Sequence, residues 1–128
     1  MENPELLDLP IKNVLIADDS ATDRKHLSLI LEGFGLNVTA VSSGNEAISL
    51  AKSMQPDVIF LDIIMEDGDG YHACRALKRA EVTSDIPVII ASSKSNPVDK
   101  MWAEKLGASA YVTKPFTNTD LLAAFQSI

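Results

Sequence analysis

Asp18 and Asp19 close the apolar run Val14-Leu15-Ile16-Ala17, and Asp62 closes a second run, Val58-Ile59-Phe60-Leu61. Ser92 and Ser93 follow a third, Val88-Ile89-Ile90-Ala91. Thr113 and Lys114 follow the shorter Tyr111-Val112, just before Pro115. If each run is a strand of one parallel sheet, these side chains meet at its carboxyl edge, where doubly wound sheets bind ligands. Carboxylates, a hydroxyl and an ammonium would then share one site. Such a cluster needs a counter-charge, because two like charges about 4 Å apart repel by roughly 4 kcal/mol at an effective dielectric of about 20. A divalent cation together with Lys114 would supply it. Oxygen-only donors favour magnesium, manganese or calcium over zinc. Magnesium held by carboxylates and water commonly serves phosphoryl chemistry.

The elements that must position these groups are legible in the apolar pattern. Continuous runs predict strands buried on both faces. Leu36-Asn37-Val38-Thr39-Ala40-Val41 alternates for most of its length, and Tyr111-Val112 is short, so both suit sheet edges. Leu27, Ile30, Leu31 and Phe34 fall at i, i+3, i+4, i+7, with Gly35 as a stop. Ser20 with Asp23 resembles a capping box at the start of that helix. Ala47, Leu50, Ala51 and Met54 repeat the spacing before Pro56. Tyr71, Cys74 and Leu77 predict a third helix. Val98, Met101, Trp102 and Leu106 predict a fourth, closed by Gly107, and Leu121, Leu122, Phe125 and Ile128 a fifth. The order is β-α five times over, which predicts an α/β doubly wound parallel sheet with right-handed crossovers. Residues 1–11, with Pro4 and Pro10, read as a short lead, and 12–128 as one domain.

Composition excludes several functions. The 128 residues carry 18 carboxylates against 11 Lys and Arg, a net charge of −7. That opposes a nucleic-acid surface and docking on an anionic membrane. The single cysteine, Cys74, allows no internal disulfide and fits a reducing, cytoplasmic setting. The acidic N-terminus is no signal peptide, and no apolar run approaches the ~18 residues of a membrane span. With Gly70 as the sixth position of a calcium loop, the first would be Met65 and the twelfth Ala76, and both fail as ligands. P-loop, zincin and hydrolase-elbow motifs are absent. His26 and His72 have no companion ligands and read as surface residues. Cys74 reads as core. Trp102 reads either as core filling or as an aromatic anchor on an exposed face.

Taken in order, these blocks resemble the receiver (response-regulator) domain of two-component signalling over about residues 12–127. The carriers are Val14 to Ser20, Asp57 to Met65, Asp69-Gly70, Ile86 to Ser92, and Gly107 to Phe116. The resemblance implies a flavodoxin-like (βα)5 sheet of strand order 2-1-3-4-5. It implies that Asp62 accepts a phosphoryl group from a phosphohistidine on a histidine kinase or chemotaxis-type kinase. Mg²⁺, with Mn²⁺ as substitute, would be held by Asp19, Asp62 and the Ile64 backbone carbonyl, and by Asp18 mainly through water. Lys114 would pair with Asp62 and then with the phosphoryl oxygens. Ser92 would swing in to hydrogen-bond them, and Tyr111 would follow from an exposed to a buried rotamer. Lys114-Pro115 would be cis. The output would be the surface around the fourth helix, fifth strand and fifth helix, including Trp102 and Tyr111. The implied protein is a phosphoryl-accepting regulator rather than an enzyme acting on other substrates, monomeric when unphosphorylated. It would stand alone, because the chain ends soon after the fifth helix. The stretch from Ile86 to Phe116 is similar to chemotaxis-type regulators of type IV pilus (twitching-motility) systems.

Three departures from the family pattern stand out. Glu66 replaces the usual proline after the acceptor, Ser92 the commoner threonine, and Ile64 is apolar where attacking water would approach, with Lys94 across from it. The last predicts slow loss of the phosphoryl group. Two other readings compete. An Mg²⁺-dependent haloacid-dehalogenase-type phosphatase would need a second Asp where Ile64 stands. A phosphorylation-silent adaptor would be expected to lose acidic-pocket residues, which this chain keeps.

Overall fold

The computed structural model describes residues 11–65, 69–94 and 96–128. In chain order the elements are β1 (Asn13–Ala17), α1 (Ala21–Gly33), β2 (Asn37–Val41), α2 (Gly44–Met54), β3 (Val58–Leu61), α3 (Gly70–Arg79), β4 (Val88–Ser92), α4 (Pro97–Lys105), β5 (Ala110–Thr113) and α5 (Asn118–Gln126). All pairings are parallel and the strand order is β2-β1-β3-β4-β5. This is the α/β doubly wound sheet that the apolar pattern predicts, in the order 2-1-3-4-5 that the family resemblance implies.

The period of two along each central strand divides the core. Val14, Ile16, Phe60 and Ile89 face one side, against Leu27 and Leu31 of α1 and Leu121 and Phe125 of α5. Leu15, Ile59, Leu61 and Ile90 face the other, against Ala47 and Ala51 of α2, Cys74 and Leu77 of α3 and Ala103 of α4. Each such large side chain contributes about 1.5–3 kcal/mol by leaving water. The alternating β2 and the short β5 are indeed the two edges. Ile11, at the boundary of the lead, is buried in the first cluster. Residues 1–10, the acidic turn at Glu66, and Ser95 lie outside the described residues.

Helix ends follow their side-chain chemistry. Gly35 adopts φ +89° and its N–H reaches Glu32 O, closing α1. The capping box expected at Ser20 and Asp23 is half formed. Asp23 N–H donates to Ser20 Oγ at 3.2 Å. The reciprocal bond is missing because Ser20 N–H donates to Asp18 Oδ1 and the Asp23 carboxylate accepts from Lys114. A complete box starts α5, between Thr117 and Asp120.

The apolar spacing of α4 does not mark its core face. Val98, Met101 and Trp102 are 61%, 52% and 53% exposed. Asp99, Ala103 and Leu106, at i, i+4, i+7, turn inward instead. The core-filling reading of Trp102 is therefore overturned. Ile128 lies past α5 and is exposed, so the inward stripe of that helix ends at Phe125. Among the described residues no helix is long and apolar enough to cross a membrane.

Candidate functional site

The last rungs of the ladder hold the site. Asp18 N–H donates to Val41 O, Asp62 N–H to Ala17 O and Lys114 N–H to Ser92 O, at 3.2, 3.0 and 2.7 Å. Strand pairing thus brings together, at one sheet edge, residues up to 96 positions apart. Carboxylate oxygens of Asp18, Asp19 and Asp62 lie within 4.8 Å of one another. Asp18 is buried, Asp62 half-buried and Asp19 exposed.

Lys114 Nζ lies 2.6 Å from Asp18 Oδ2, 2.9 Å from Asp23 Oδ2 and 3.5 Å from Asp62 Oδ2. The expected Lys114–Asp62 pair is therefore present, but as the longest of three contacts. Asp18, the most buried of these acids, gains most from the ammonium, since a buried charge left unpaired is costly. Asp23 was missed as a site residue. Its place in the first turn of a helix opening on the acidic edge was the available signal, masked by its cap-like spacing from Ser20. Arg24 was missed as well: its Nη1 donates to the Asp18 backbone carbonyl at 2.7 Å.

Burial pushes the Asp62 carboxyl above its usual range; Lys114 opposes this and the charge of Asp18 adds to it. Burial works against the Lys114 ammonium, yet hydrogen bonds to Asp18 and Asp23 and the charge of Asp62 hold it above its usual range. Gly70 packs directly on the turn that carries Asp62. A Cβ there would stand 2.0 Å from the Asp62 carbonyl oxygen, so only glycine fits.

The remaining candidates take these positions. Ser92 is buried and its Oγ accepts from Lys94 N–H at 3.2 Å. Tyr111 is half-buried and donates its hydroxyl to Lys94 O at 2.7 Å. Ile64 is 57% exposed. The Lys114–Pro115 bond is cis. His26 and His72 are exposed, and Cys74 is buried, its thiol pushed up to about 11 by burial. Among the described residues, Asp18, Asp19 and Asp62 form the one metal-compatible cluster.

The donor set suits a hard cation. Ligands of an octahedral magnesium at about 2.1 Å sit roughly 3–4.2 Å apart. Oxygens already within 4.8 Å need only a small contraction. Asp19 also has no cationic partner among the described residues, which leaves negative charge to be balanced.

The sequence matches, over residues 14–126, the family described as the response regulator receiver domain. The chain belongs to the receiver family. Among curated receiver relatives, Protein PilH of Pseudomonas aeruginosa is 37% identical over 115 residues, covering 90% of this chain and 95% of the relative. Some other curated relatives, such as the probable transcriptional regulators ycf27 of Guillardia theta and Porphyridium aerugineum, are longer, and the chain spans about half their length. Among solved receivers, chemotaxis protein CheY4 of Vibrio cholerae superposes with a TM-score of 0.83 at 28% identity, over 91% of this chain and 97% of that one. The receiver domain of sensor histidine kinase PA1611 of Pseudomonas aeruginosa has a TM-score of 0.83 at 25% identity, over 91% and 95%. That structure has a magnesium ion coordinated in its active site cleft. Magnesium binding in an acidic pocket is general to receivers, and this receiver has the acidic pocket.

Proposed function

We propose that this protein is a response regulator whose Asp62 is phosphorylated by a histidine kinase, or a chemotaxis-type kinase, with Mg²⁺. The observation that carries the reading is the meeting of Asp18, Asp19 and Asp62 within 4.8 Å beside the Lys114 ammonium. Asp19, Asp62 and the Ile64 carbonyl would hold the metal, with Asp18 acting mainly through water. Bound there, Mg²⁺ supplies positive charge to the equatorial oxygens of the transferring group.

The chain's own residues do the rest. An ionised Asp62 Oδ attacks the phosphorus of a phosphohistidine, the P–N bond breaks with its electron pair going to the ring nitrogen, and the imidazole leaves neutral, keeping the proton already on its other nitrogen. Positioning matters more than basicity in this transfer. Lys114, shared among three carboxylates, moves toward the new phosphoryl oxygens as negative charge builds on Asp62. Ser92 trades its bond with Lys94 N–H for the phosphoryl group. Tyr111 then leaves Lys94 O, and the surface of α4, β5 and α5, with Trp102 and Tyr111, passes to its signalling arrangement.

The 37% identity to PilH and the likeness to CheY4 support a chemotaxis-type regulator, with type IV pilus motility as the setting favoured by the sequence resemblance. We read residues 12–128 as the receiver unit, working as a phosphoryl-accepting regulator rather than as an enzyme on other substrates. Ile64 where a phosphatase would carry its second Asp disfavours the hydrolase reading, and the intact acidic set disfavours a silent adaptor.

Intact-protein mass after incubation with acetyl phosphate tests the reading. The expected result is a gain of one phosphoryl group that needs Mg²⁺ and is absent from Asp62→Ala. No gain with Mg²⁺ would move the reading to the silent adaptor. Turnover of a generic phosphate ester would move it to the phosphatase.

A further inference from the structure

A groove runs between α3 and α4, apart from the acidic site. Its lower half is lined by Arg75, Lys78, Arg79, Trp102, Lys105 and Leu106. Its upper half continues past Tyr71 and His72 to Asp69. In a chain of net charge −7, 4 of the 11 Lys and Arg line the lower half and no carboxylate does. Every ion pair among the described residues belongs to Lys114, so no described carboxylate lies in pairing distance of Arg75, Arg79 or Lys105.

Helix chemistry explains part of this. Lys78, Arg79 and Lys105 stand in last turns, where cations offset the helix dipole. It does not explain Arg75, one turn earlier, nor Trp102, which is 53% exposed in the same groove. The groove walls are also pinned. The Tyr71 hydroxyl donates to Asp99 Oδ1 at 2.8 Å, joining α3 to α4. The Lys78 ammonium donates to the carbonyls of Ser84 and Ile86, at 3.1 and 2.7 Å. Such a surface requires little ordering when a partner arrives.

We propose that the α3–α4 groove docks an acidic segment of a partner protein, its carboxylates on Arg75, Arg79 and Lys105 and one of its apolar side chains on Trp102. Arginine forks match carboxylates in two-point contacts, and Trp and Arg dominate binding hot spots. A nucleic acid fits less well, because a short basic patch on an acidic protein gives a polyanion few contacts and much repulsion. The surface meets the proposed α4, β5 and α5 output face at Trp102 but extends from it onto α3, and docking there does not require Asp62 to be phosphorylated.

Selection of a phage-displayed random library of roughly 12-residue peptides on the full chain tests this. The expected outcome is enrichment of Asp- and Glu-rich sequences carrying a Leu or aromatic residue. Trp102 is the chain's single tryptophan, so tryptophan-free synthetic versions should shift its emission along a saturable curve. Arg75→Glu/Arg79→Glu/Lys105→Glu should weaken binding by at least about tenfold. Lys25→Glu/Lys52→Glu, at exposed positions on α1 and α2, should leave it unchanged. Asp62→Ala should also bind normally, which separates this proposal from the phosphorylation reading. If the charge-reversed variant loses its circular dichroism, the Arg75→Gln/Arg79→Gln/Lys105→Gln variant serves instead, with the same loss expected. The proposal is overturned by no enrichment, by enrichment without acidic bias, by equal losses from the Lys25 and Lys52 reversals, or by tighter binding of a short oligonucleotide through the same residues.

Discussion

The Lys114 ammonium stands 2.6 Å from Asp18 and 3.5 Å from Asp62, so its closest partner is not the proposed acceptor. One ammonium offsets the charge of three carboxylates, and a divalent ion would compete for the same oxygens. Lys114→Met should therefore have two effects. In EDTA the variant should lose about 1–3 kcal/mol of stability, as buried like charges go unpaired. In calorimetric titration it should bind Mg²⁺ more tightly than wild type, by about tenfold, equivalent to roughly 1.4 kcal/mol. Equal affinity in the two proteins would mean that Lys114 and the metal do not share ligands.

Burial raises the Asp62 carboxyl above its usual range, so the fold disfavours its ionised form. The linkage is that of a raised group: its contribution to stability is present below the unfolded value and is lost as pH rises through the folded one. Asp62→Asn removes this loss while leaving Lys114 its bonds to Asp18 and Asp23. In EDTA the variant should melt roughly 2–5 °C above wild type at neutral pH, with the gap narrowing as pH falls toward about 4. Added Mg²⁺ should shrink the gap, because the ion stabilises the wild type by mass action. A variant that melts lower than wild type at neutral pH in EDTA would contradict this.

Gly70 lies against the backbone of the turn that carries the proposed acceptor, where a Cβ would be 2.0 Å from Asp62 O. Gly70→Ala should cost about 2–3 kcal/mol by urea denaturation, the scale of overpacking. Gly33, near the end of α1, has nothing within 4 Å of a built Cβ. Gly33→Ala should be neutral or gain up to about 1 kcal/mol. Equal effects at the two positions would rule out the close approach as the cause.

Ile64 presents an apolar side chain to solvent, 57% exposed, two residues beyond the proposed acceptor Asp62. It offers no hydrogen bond to a water approaching an Asp62 phosphoryl group. Ile64→Asn should shorten the lifetime of the phosphorylated form, read as the decay of the mass-shifted species after the phosphodonor is removed. An unchanged decay rate would show that water access is set elsewhere.

Much of this was readable in the chain because the central strands are buried on both faces. Val14 to Ala17, Val58 to Leu61 and Val88 to Ala91 have few other fates than interior parallel strands, and the residues ending them fall at one edge. The alternating Asn37 to Val41 segment likewise announced an edge. The α4 helix was misread because spacing alone does not say which stripe faces inward. Ala103 and Leu106 pack against the sheet, and the larger Val98, Met101 and Trp102 are left outside. Asp23 was missed as a site residue for a related reason. Its local pattern with Ser20 was complete in sequence, whereas its actual partner, Lys114, is 91 positions away and becomes available only once β5 has paired with β4.

The proposed acceptor can be located chemically. Acetyl phosphate treatment with Mg²⁺, followed by borohydride reduction and peptide mass mapping, converts an aspartyl phosphate to homoserine at the modified residue. The expected product is homoserine at position 62 alone, lost when EDTA replaces Mg²⁺. Conversion at Asp18, Asp19 or Asp23 instead, or at no residue, would contradict the assignment of Asp62 as the phosphoryl acceptor.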